Sequence, residues 1–285
     1  MNSFIKSISL LTEFLKYNLS VLLATRNTSS LKKNKDLKGK YNGKVFILFT
    51  GNSAGKIDLS FLKNEYTIGV NRFFLHPQYK DLNVDFFSCI ADWRYIKLWT
   101  MSWIVEMCFL KSKKSLITFL HSSASVYIND DEKDYEYRDK KNFFDKDNIY
   151  YVQSDGSFSS DADIKEELDA PCNILNGSLY FSVGLAMYLG FKEIYLLGAD
   201  NAKEPLTVGH FYDGLDEVWD KEKVNACSNP NLYDEMINKQ KSINLFALKN
   251  NVKLFNVIEK GFTSPVFQSV DKEELMNSLK NTATK

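Results

Sequence analysis

The chain has 285 residues, of which 44% are hydrophobic and 25% are charged. This is the composition of an ordinary globular protein, and it excludes a wholly disordered chain. The 36 basic and 36 acidic side chains balance to a formal charge of zero, so no general attraction to nucleic acid is expected. The 4 cysteines lie far apart without a C-x-x-C pair, which argues against a zinc ribbon and against a disulfide framework.

Residues 1–24 carry apolar side chains at helical spacing, interrupted by Lys6, Glu13 and Lys16. They predict an amphipathic helix rather than a signal peptide or a membrane span, because no convincing cleavage site follows and no apolar stretch reaches about 18 residues. Such a helix packs on its own domain, pairs with a second subunit or rests on an anionic membrane surface. Residues 25–43 are predicted to be a polar linker.

From residue 44 onward, short apolar runs alternate with segments of helical spacing. The predicted strands are 44–50, 67–70, 84–90, 116–120, 150–152, 192–197 and 252–257, and the predicted helices are 57–62, 94–111, 179–189 and 232–248. Residues 129–148 are interpreted as a charged excursion and residues 201–230 as a lid-like loop. The alternation predicts one α/β, Rossmann-like domain over residues 44–285, with a mainly parallel sheet and helices on both faces.

Glycines and small polar residues follow several of the predicted strands. In open parallel sheets, ligands bind outside the carboxyl ends of the strands. The candidate nucleotide-binding residues gathered there are Gly51, Asn52, Ser53, Asn71, Arg72, Asp92, Asp200 and Asn201, with Asn176, Gly177 and Ser178 at the start of the helix over 179–189. Small side chains let backbone amides approach a phosphate or a base, so an enzyme or a nucleotide-binding protein is predicted.

His210 is the candidate for proton transfer, because it lies in a long polar loop beyond a strand end. An imidazole has the ordinary pKa that suits this chemistry near neutrality. In the same loop, Tyr212 is predicted to donate to a phosphate and Asp213 to orient the imidazole. The other two histidines, His76 and His121, are assigned structural roles.

Plainer structural roles remain open for the same residues. The turn after the first strand also fits a tight turn without a ligand, and Asn71 also fits a helix cap. Arg72 also fits a surface ion pair, and the residues from Asn176 to Ser178 fit plain N-capping. His210 also fits an exposed loop histidine without a catalytic role.

Four sequence blocks carry a family resemblance over roughly residues 44–258. They are Gly51-Asn52, Ile57-Asp58-Leu59-Ser60, Val70-Asn71-Arg72-Phe73-Phe74, and Gly177-Ser178 followed by the run from Leu189 to Asp200 that ends in Gly198-Ala199-Asp200. In this order they resemble the bacterial sialyltransferases of glycosyltransferase family 42. The pattern is also similar to a wider superfamily that includes MptE-like 6-hydroxymethylpterin diphosphokinases and motility-associated glycosyltransferases.

The resemblance implies that Asn52, Asn71 and Ser178 contact a CMP-sugar donor and that His210, by its place in the loop, is the general base. The base would deprotonate an acceptor hydroxyl as it attacks the anomeric carbon, with CMP leaving and the configuration inverted. No metal is required in the family, since tyrosine hydroxyls stabilise the leaving phosphate, a role that Tyr212 would take here. The family's Gly-Pro-Ser-Leu after Gly-Asn is replaced by Ser53-Ala54-Gly55-Lys56, which leaves the donor sugar open.

The leading hypothesis is therefore an inverting glycosyltransferase of bacterial surface-polysaccharide or lipooligosaccharide assembly. Its partners would be a CMP-linked, sialic-acid-like donor and a glycan or glycolipid acceptor. It would be a cytoplasmic homo-oligomer in peripheral contact with the inner face of the cell membrane through its N-terminus. One alternative is an MptE-like diphosphokinase whose Mg²⁺ is held by Asp92 and Asp200, and another is a non-catalytic nucleotide-binding module.

Overall fold

A computed structural model describes residues 28–90, 116–122, 148–155, 164, 167–174, 177–200, 209–212, 232–259 and 263–282. Several predictions fall outside these ranges: the helices over 1–24 and 94–111, the excursion over 129–148, and the lid-like loop apart from residues 209–212. The candidate residues Asp92, Asn176, Asn201 and Asp213 also lie outside the described residues.

Eight strands in the described part of the chain form one sheet, and every paired neighbour is parallel. The strands are β1 (Lys44–Leu48), β2 (Tyr66–Val70), β3 (Phe86–Cys89), β4 (Ile117–His121), β5 (Ile149–Val152), β6 (Glu193–Leu197), β7 (Lys253–Ile258) and β8 (Gln268–Asp271). Their order across the sheet is β5-β4-β3-β2-β1-β6-β7-β8. The predicted α/β, Rossmann-like fold with a parallel sheet is confirmed.

Both faces of the sheet are buried, because side chains of each strand alternate between two hydrophobic clusters. In β1, Val45 and Ile47 belong to one cluster, and Phe46 and Leu48 belong to the other. The described α-helices are α1 (Ser178–Leu189), α2 (Leu232–Lys249) and α3 (Lys272–Thr282). Helices α1 and α2 contribute to the first cluster and α3 to the second, so the sheet lies between two helical layers. Among the described helices, none is long and apolar enough to cross a membrane.

The strand order creates a crevice at the carboxyl ends of β1 and β6. After β1 the chain builds β2 to β5 on one side, then returns to place β6 to β8 on the other, so β1 pairs with both β2 and β6. The loops that follow β1 and β6 therefore leave the sheet in opposite directions. Such a switch point is where open parallel sheets bind their ligands.

Two parts of the secondary structure differ from the sequence-based prediction. The predicted helix over 57–62 is replaced by two single 3₁₀ turns, Ala54–Lys56 and Ser60–Leu62, with Ile57 extended between them. The cause is local: the carboxylate of Asp58 accepts hydrogen bonds from the backbone N–H and the hydroxyl of Ser60, which compete with helical bonding. In addition, β7 is not the last strand, since β8 and α3 follow it.

The predicted linker contains a structured segment, because residues Thr28–Leu37 form a 3₁₀ helix. Leu31, Asn34 and Leu37 are buried against the domain. Several lysines of this segment and just beyond it interact with other parts of the chain. Lys33 donates to the carbonyl of Ile149. Three others form the ion pairs Lys35–Asp169, Lys38–Glu167 and Lys44–Glu65. Much of the positive charge that the sequence places here is thus neutralised within the chain.

Replacing Asn34 with alanine tests whether this segment belongs to the domain. Its Nδ2 donates to the backbone carbonyls of Tyr151, at 2.8 Å, and Leu168. We expect Asn34→Ala to lower the free energy of unfolding by about 2 kcal/mol, because one buried and one partly buried carbonyl lose their donor. Urea unfolding measures this, with Asp36→Ala on the exposed side of the same segment as the control. Equal midpoints for the two variants would contradict the observed packing.

Candidate functional site

The loops that follow β1 and β6 are joined directly at the switch point. The N–H of Gly51 donates to the carbonyl of Gly198 at 3.0 Å. Two residues further on, the N–H of Ser53 donates to Oδ2 of Asp200 at 3.0 Å, and the Ser53 hydroxyl donates to Oδ1. Both oxygens of the Asp200 carboxylate thus hold the turn that follows β1. Ser53 and Asp200 are in direct contact although 147 residues separate them in the sequence.

The glycines of this turn are required by close approach of other groups. A Cβ on Gly51 would lie 2.7 Å from the Asp200 carboxylate, and a Cβ on Gly55 would lie 2.8 Å from Cβ of Phe211. Gly198 has a positive φ of 70°, and a Cβ there would lie 2.6 Å from Cβ of Ala54. Larger residues would force the loops apart, so the small-residue pattern serves to bring three loops together.

His210 lies directly on the turn after β1. It pairs with Gly51 in an isolated antiparallel bridge, and the N–H of Phe211 donates to the carbonyl of Thr50 at 3.0 Å. The ring nitrogen Nδ1 of His210 is 2.8 Å from Oγ1 of Thr50 and 3.2 Å from the carbonyl oxygen of Thr50. Because a carbonyl oxygen only accepts, this geometry favours the tautomer with its proton on Nδ1 and its lone pair on Nε2.

Tyr212 and Arg72 extend the group around His210. The rings of His210 and Tyr212 are stacked, with centroids 4.8 Å apart and planes inclined by 12°. The guanidinium carbon of Arg72 lies 5.7 Å from the centroid of the Tyr212 ring, within the range of a cation–π contact. Arg72 is only 3% exposed, so the alternative of a surface ion pair does not describe it.

Asn71 and Ser178 contact each other although 107 residues separate them: Nδ2 of Asn71 donates to Oγ of Ser178 at 2.8 Å. Asn71 has a positive φ of 52°, a conformation that costs energy in a residue other than glycine and often occurs at binding sites. Ser178 is the first residue of α1, whose N-terminus has no side-chain cap from Gly177. Two residues that the sequence suggested for donor binding therefore meet beside the N-terminus of a helix.

The remaining candidates after β1 and at the start of α1 are more accessible. Asn52 and Gly177 are exposed, while Ser53, Asn71, Ser178 and Asp200 are half-buried. Arg72, His210 and Tyr212 connect these residues into one chain of contacts. The chain runs from α1, past the ends of β2 and β1, to the end of β6. Groups of three or more metal-ligating side chains do not occur within the described residues.

Two further residues support His210 and the turn: Thr50, which the sequence did not single out, and His76, to which the sequence assigned a structural role. Thr50 holds the His210 ring, and its position directly before Gly51 was the available signal. His76 is buried, its Nε2 donates to the carbonyl of Ala54 at 3.2 Å, and its Nδ1 accepts from the N–H of Gln78 at 3.2 Å. This structural role of His76 supports the turn after β1, and burial lowers the pKa of His76.

This lowered pKa of His76 predicts a stability that depends on pH. The unfolded chain takes up a proton near the ordinary value of 6.5, whereas the folded chain resists it, mainly because the ring is buried. Stability from this group is full above that pH and is lost as the pH falls below it, by up to about 1.4 kcal/mol per pH unit. Urea unfolding between about pH 7.5 and 5.5 should show this loss in the wild type. His76→Gln keeps a donor for Ala54 and should show a smaller loss; equal slopes would contradict the prediction.

The chain matches no known protein family pattern and no curated protein. Among solved structures it is similar to the MAf glycosyltransferase from Magnetospirillum magneticum AMB-1, with 12% sequence identity and a TM-score of 0.46. The similarity covers 90% of this chain and 41% of that one, so this chain spans about two fifths of that protein's length. The likeness lies in the path of the backbone, and no residue's role is carried over from it.

Proposed function

We propose that the chain is an inverting glycosyltransferase that moves a sialic-acid-like sugar from a CMP-linked donor to a glycan hydroxyl. The observation that carries the proposal is the position of His210, which Thr50 holds at the switch point directly beside the turn after β1. A proton acceptor and a small-residue turn meet there, at the edge of the sheet where ligands bind. The acceptor would belong to a bacterial surface polysaccharide or lipooligosaccharide.

In this proposal His210 is the general base. With the proton on Nδ1 shared with Thr50, the lone pair on Nε2 takes the proton of the acceptor hydroxyl. The hydroxyl oxygen forms a bond to the anomeric carbon as the bond from that carbon to the CMP phosphate breaks. Proton transfer of this kind by a positioned histidine contributes about 10²- to 10⁴-fold to a rate.

The donor nucleotide would lie on the side of β2 and α1. Asn71 and Ser178 supply amide and hydroxyl groups there, and the N-terminus of α1 favours a negative charge. Arg72 and Tyr212 lie between this pair and His210, where a guanidinium and a phenol suit a leaving phosphate.

In the proposed transferase, Asp200 shapes the site, whereas in the diphosphokinase alternative it would hold Mg²⁺. Both of its oxygens accept hydrogen bonds from Ser53, so it fastens the turn after β1 to the loop after β6.

A thermal-stability screen with CMP, CDP, UDP, GDP and ATP, each with EDTA and with Mg²⁺, tests the proposal. We expect CMP to stabilise the protein even in EDTA, by about 2.7 kcal/mol at 100 times its dissociation constant. The variant Ser178→Ala should weaken that effect, whereas Ser242→Ala on α2 should not. Stabilisation only by ATP with Mg²⁺ would point to the diphosphokinase, and no response to any nucleotide would contradict both enzymes.

A further inference from the structure

A cleft lies against the Ser53–Asp200 contact, at the carboxyl ends of β6 and β7 and beside the start of α3. Its polar lining consists of Ser53, Asp200, Asn256, Glu259 and Lys272, and the rest of its wall is apolar. Only Ser53 and Asp200 of these five belong to the site described above. The cleft therefore shares one wall with that site and extends it toward β7.

Asn256 points to a ligand in this cleft. It stands in β7 between the buried Leu254 and Ile258, and it is only 1% exposed. Its Nδ2 is buried and has no hydrogen-bond partner in the described part of the chain. A buried amide nitrogen without a partner is costly, and a bound group in the cleft is one of the explanations for keeping it. A ligand with oxygen atoms in the cleft would supply the missing partner.

The charges in the cleft indicate the chemistry of that ligand. Asp200 and Glu259 bring two carboxylates, whereas Lys272 brings one ammonium group that also lies 3.7 Å from the carboxylate of Glu273. This balance disfavours a phosphate or an acidic sugar. Neutral sugar hydroxyls pair with carboxylates that accept, with an amide that donates and accepts, and with a hydroxyl. The apolar wall suits the face of a sugar ring.

We propose that this cleft binds a neutral sugar unit, the one that offers its hydroxyl for transfer. The inference rests on the proposed function and adds the class of acceptor to it. A short chain of contacts connects the cleft to His210. Asp200 lines the cleft, Gly51 packs against the Asp200 carboxylate, and His210 pairs with Gly51. In this proposal the acceptor lies against the Ser53–Asp200 contact and the donor lies beside Asn71 and Ser178.

The test is saturation-transfer NMR of the full chain with methyl β-galactoside, methyl β-glucoside and methyl α-mannoside, in the presence and absence of CMP. N-Acetylneuraminic acid serves as the anionic probe. We expect at least one neutral glycoside to bind, and we expect Asn256→Leu and Glu259→Gln each to weaken it at least tenfold. Stabilisation by CMP should stay unchanged in both variants. Asn256→Leu removes a buried amide nitrogen that has no partner in the described part of the chain, so it should melt at or above the wild-type temperature, which excludes unfolding as the cause.

Three outcomes would overturn the inference: no neutral glycoside binds, binding is unchanged in both variants, or the anionic probe binds in their place and depends on Asn256. Failure of the proposed function looks different. If CMP does not bind but a neutral glycoside binds and depends on Asn256, the sugar site holds and the CMP-dependent transferase does not.

Discussion

Replacing His210 with alanine is expected to lower kcat about 10²- to 10⁴-fold and to leave stabilisation by CMP unchanged. The reason is that in the proposed mechanism Thr50 holds the imidazole through Nδ1 and Nε2 takes the acceptor's proton. Release of CMP from an activated sugar, in the presence of the acceptor glycoside, measures the effect. A variant that keeps more than a tenth of the wild-type kcat would contradict the role of His210.

Thr50 provides a graded control for that experiment. Thr50→Val keeps the shape and the backbone carbonyl but removes Oγ1, one of the two oxygens beside Nδ1 of His210. We expect a loss of kcat of about tenfold with an unchanged KM for the donor, since the hydroxyl positions the ring and does not touch the nucleotide. Thr50→Ser should restore the rate, whereas a purely structural role of Thr50 would show as lost stability with an unchanged kcat.

The sequence was most informative where hydrophobic pattern and local geometry agree. Strand β1 follows from a continuous apolar run, and its alternating side chains enter both cores as expected for a strand buried on two faces. Helix α1 ends where predicted because Gly190 adopts a left-handed φ of 108°, which other residues rarely do. The parallel α/β class followed from the same local signals.

Other elements were not predictable because their sequence signals are weak or misleading. Strand β8 is partly exposed and polar, so its four residues lack the apolar run of the other strands. The segment over 57–62 has helical spacing, but the Asp58 side chain captures Ser60 and turns the chain instead. The buried face of the segment Thr28–Leu37 depends on two hydrogen bonds to carbonyls more than 100 residues away.

The candidate site, like the fold, was predictable from the sequence only in part. Position at a strand end nominated Asn71 and Asp200, position in the loop beyond a strand end nominated His210, and position at a helix start nominated Ser178. Which of them meet depends on the order of the strands, and no local pattern encodes that order. The contacts of Asn71 with Ser178 and of His210 with Thr50 therefore became visible only in the fold. Asn256 is a polar residue within the otherwise mostly buried strand β7. It was a signal in the sequence, but a search for apolar runs does not detect it.

Replacing Gly51 with alanine is expected to destabilise the protein strongly. The new Cβ would lie 2.7 Å from the Asp200 carboxylate and close to the carbonyl of Gly198, so one of the two loops must move. Overpacking of this kind costs about 2–3 kcal/mol. The same movement would break the contacts that join Ser53 to Asp200, so stabilisation by CMP should also be lost.

Gly69 in β2 is the matched control, because a Cβ there would meet its nearest atoms, in Val84 and Phe87, at 3.4 Å and 3.5 Å, an ordinary contact distance. Alanine at Gly69 also reduces the freedom of the unfolded chain, so Gly69→Ala should stay within about 1 kcal/mol of the wild type. Urea unfolding with and without CMP compares the two variants. If Gly51→Ala unfolds at the wild-type midpoint and still responds to CMP, the loops after β1 and β6 do not need their close approach, and the site must be assembled by other contacts.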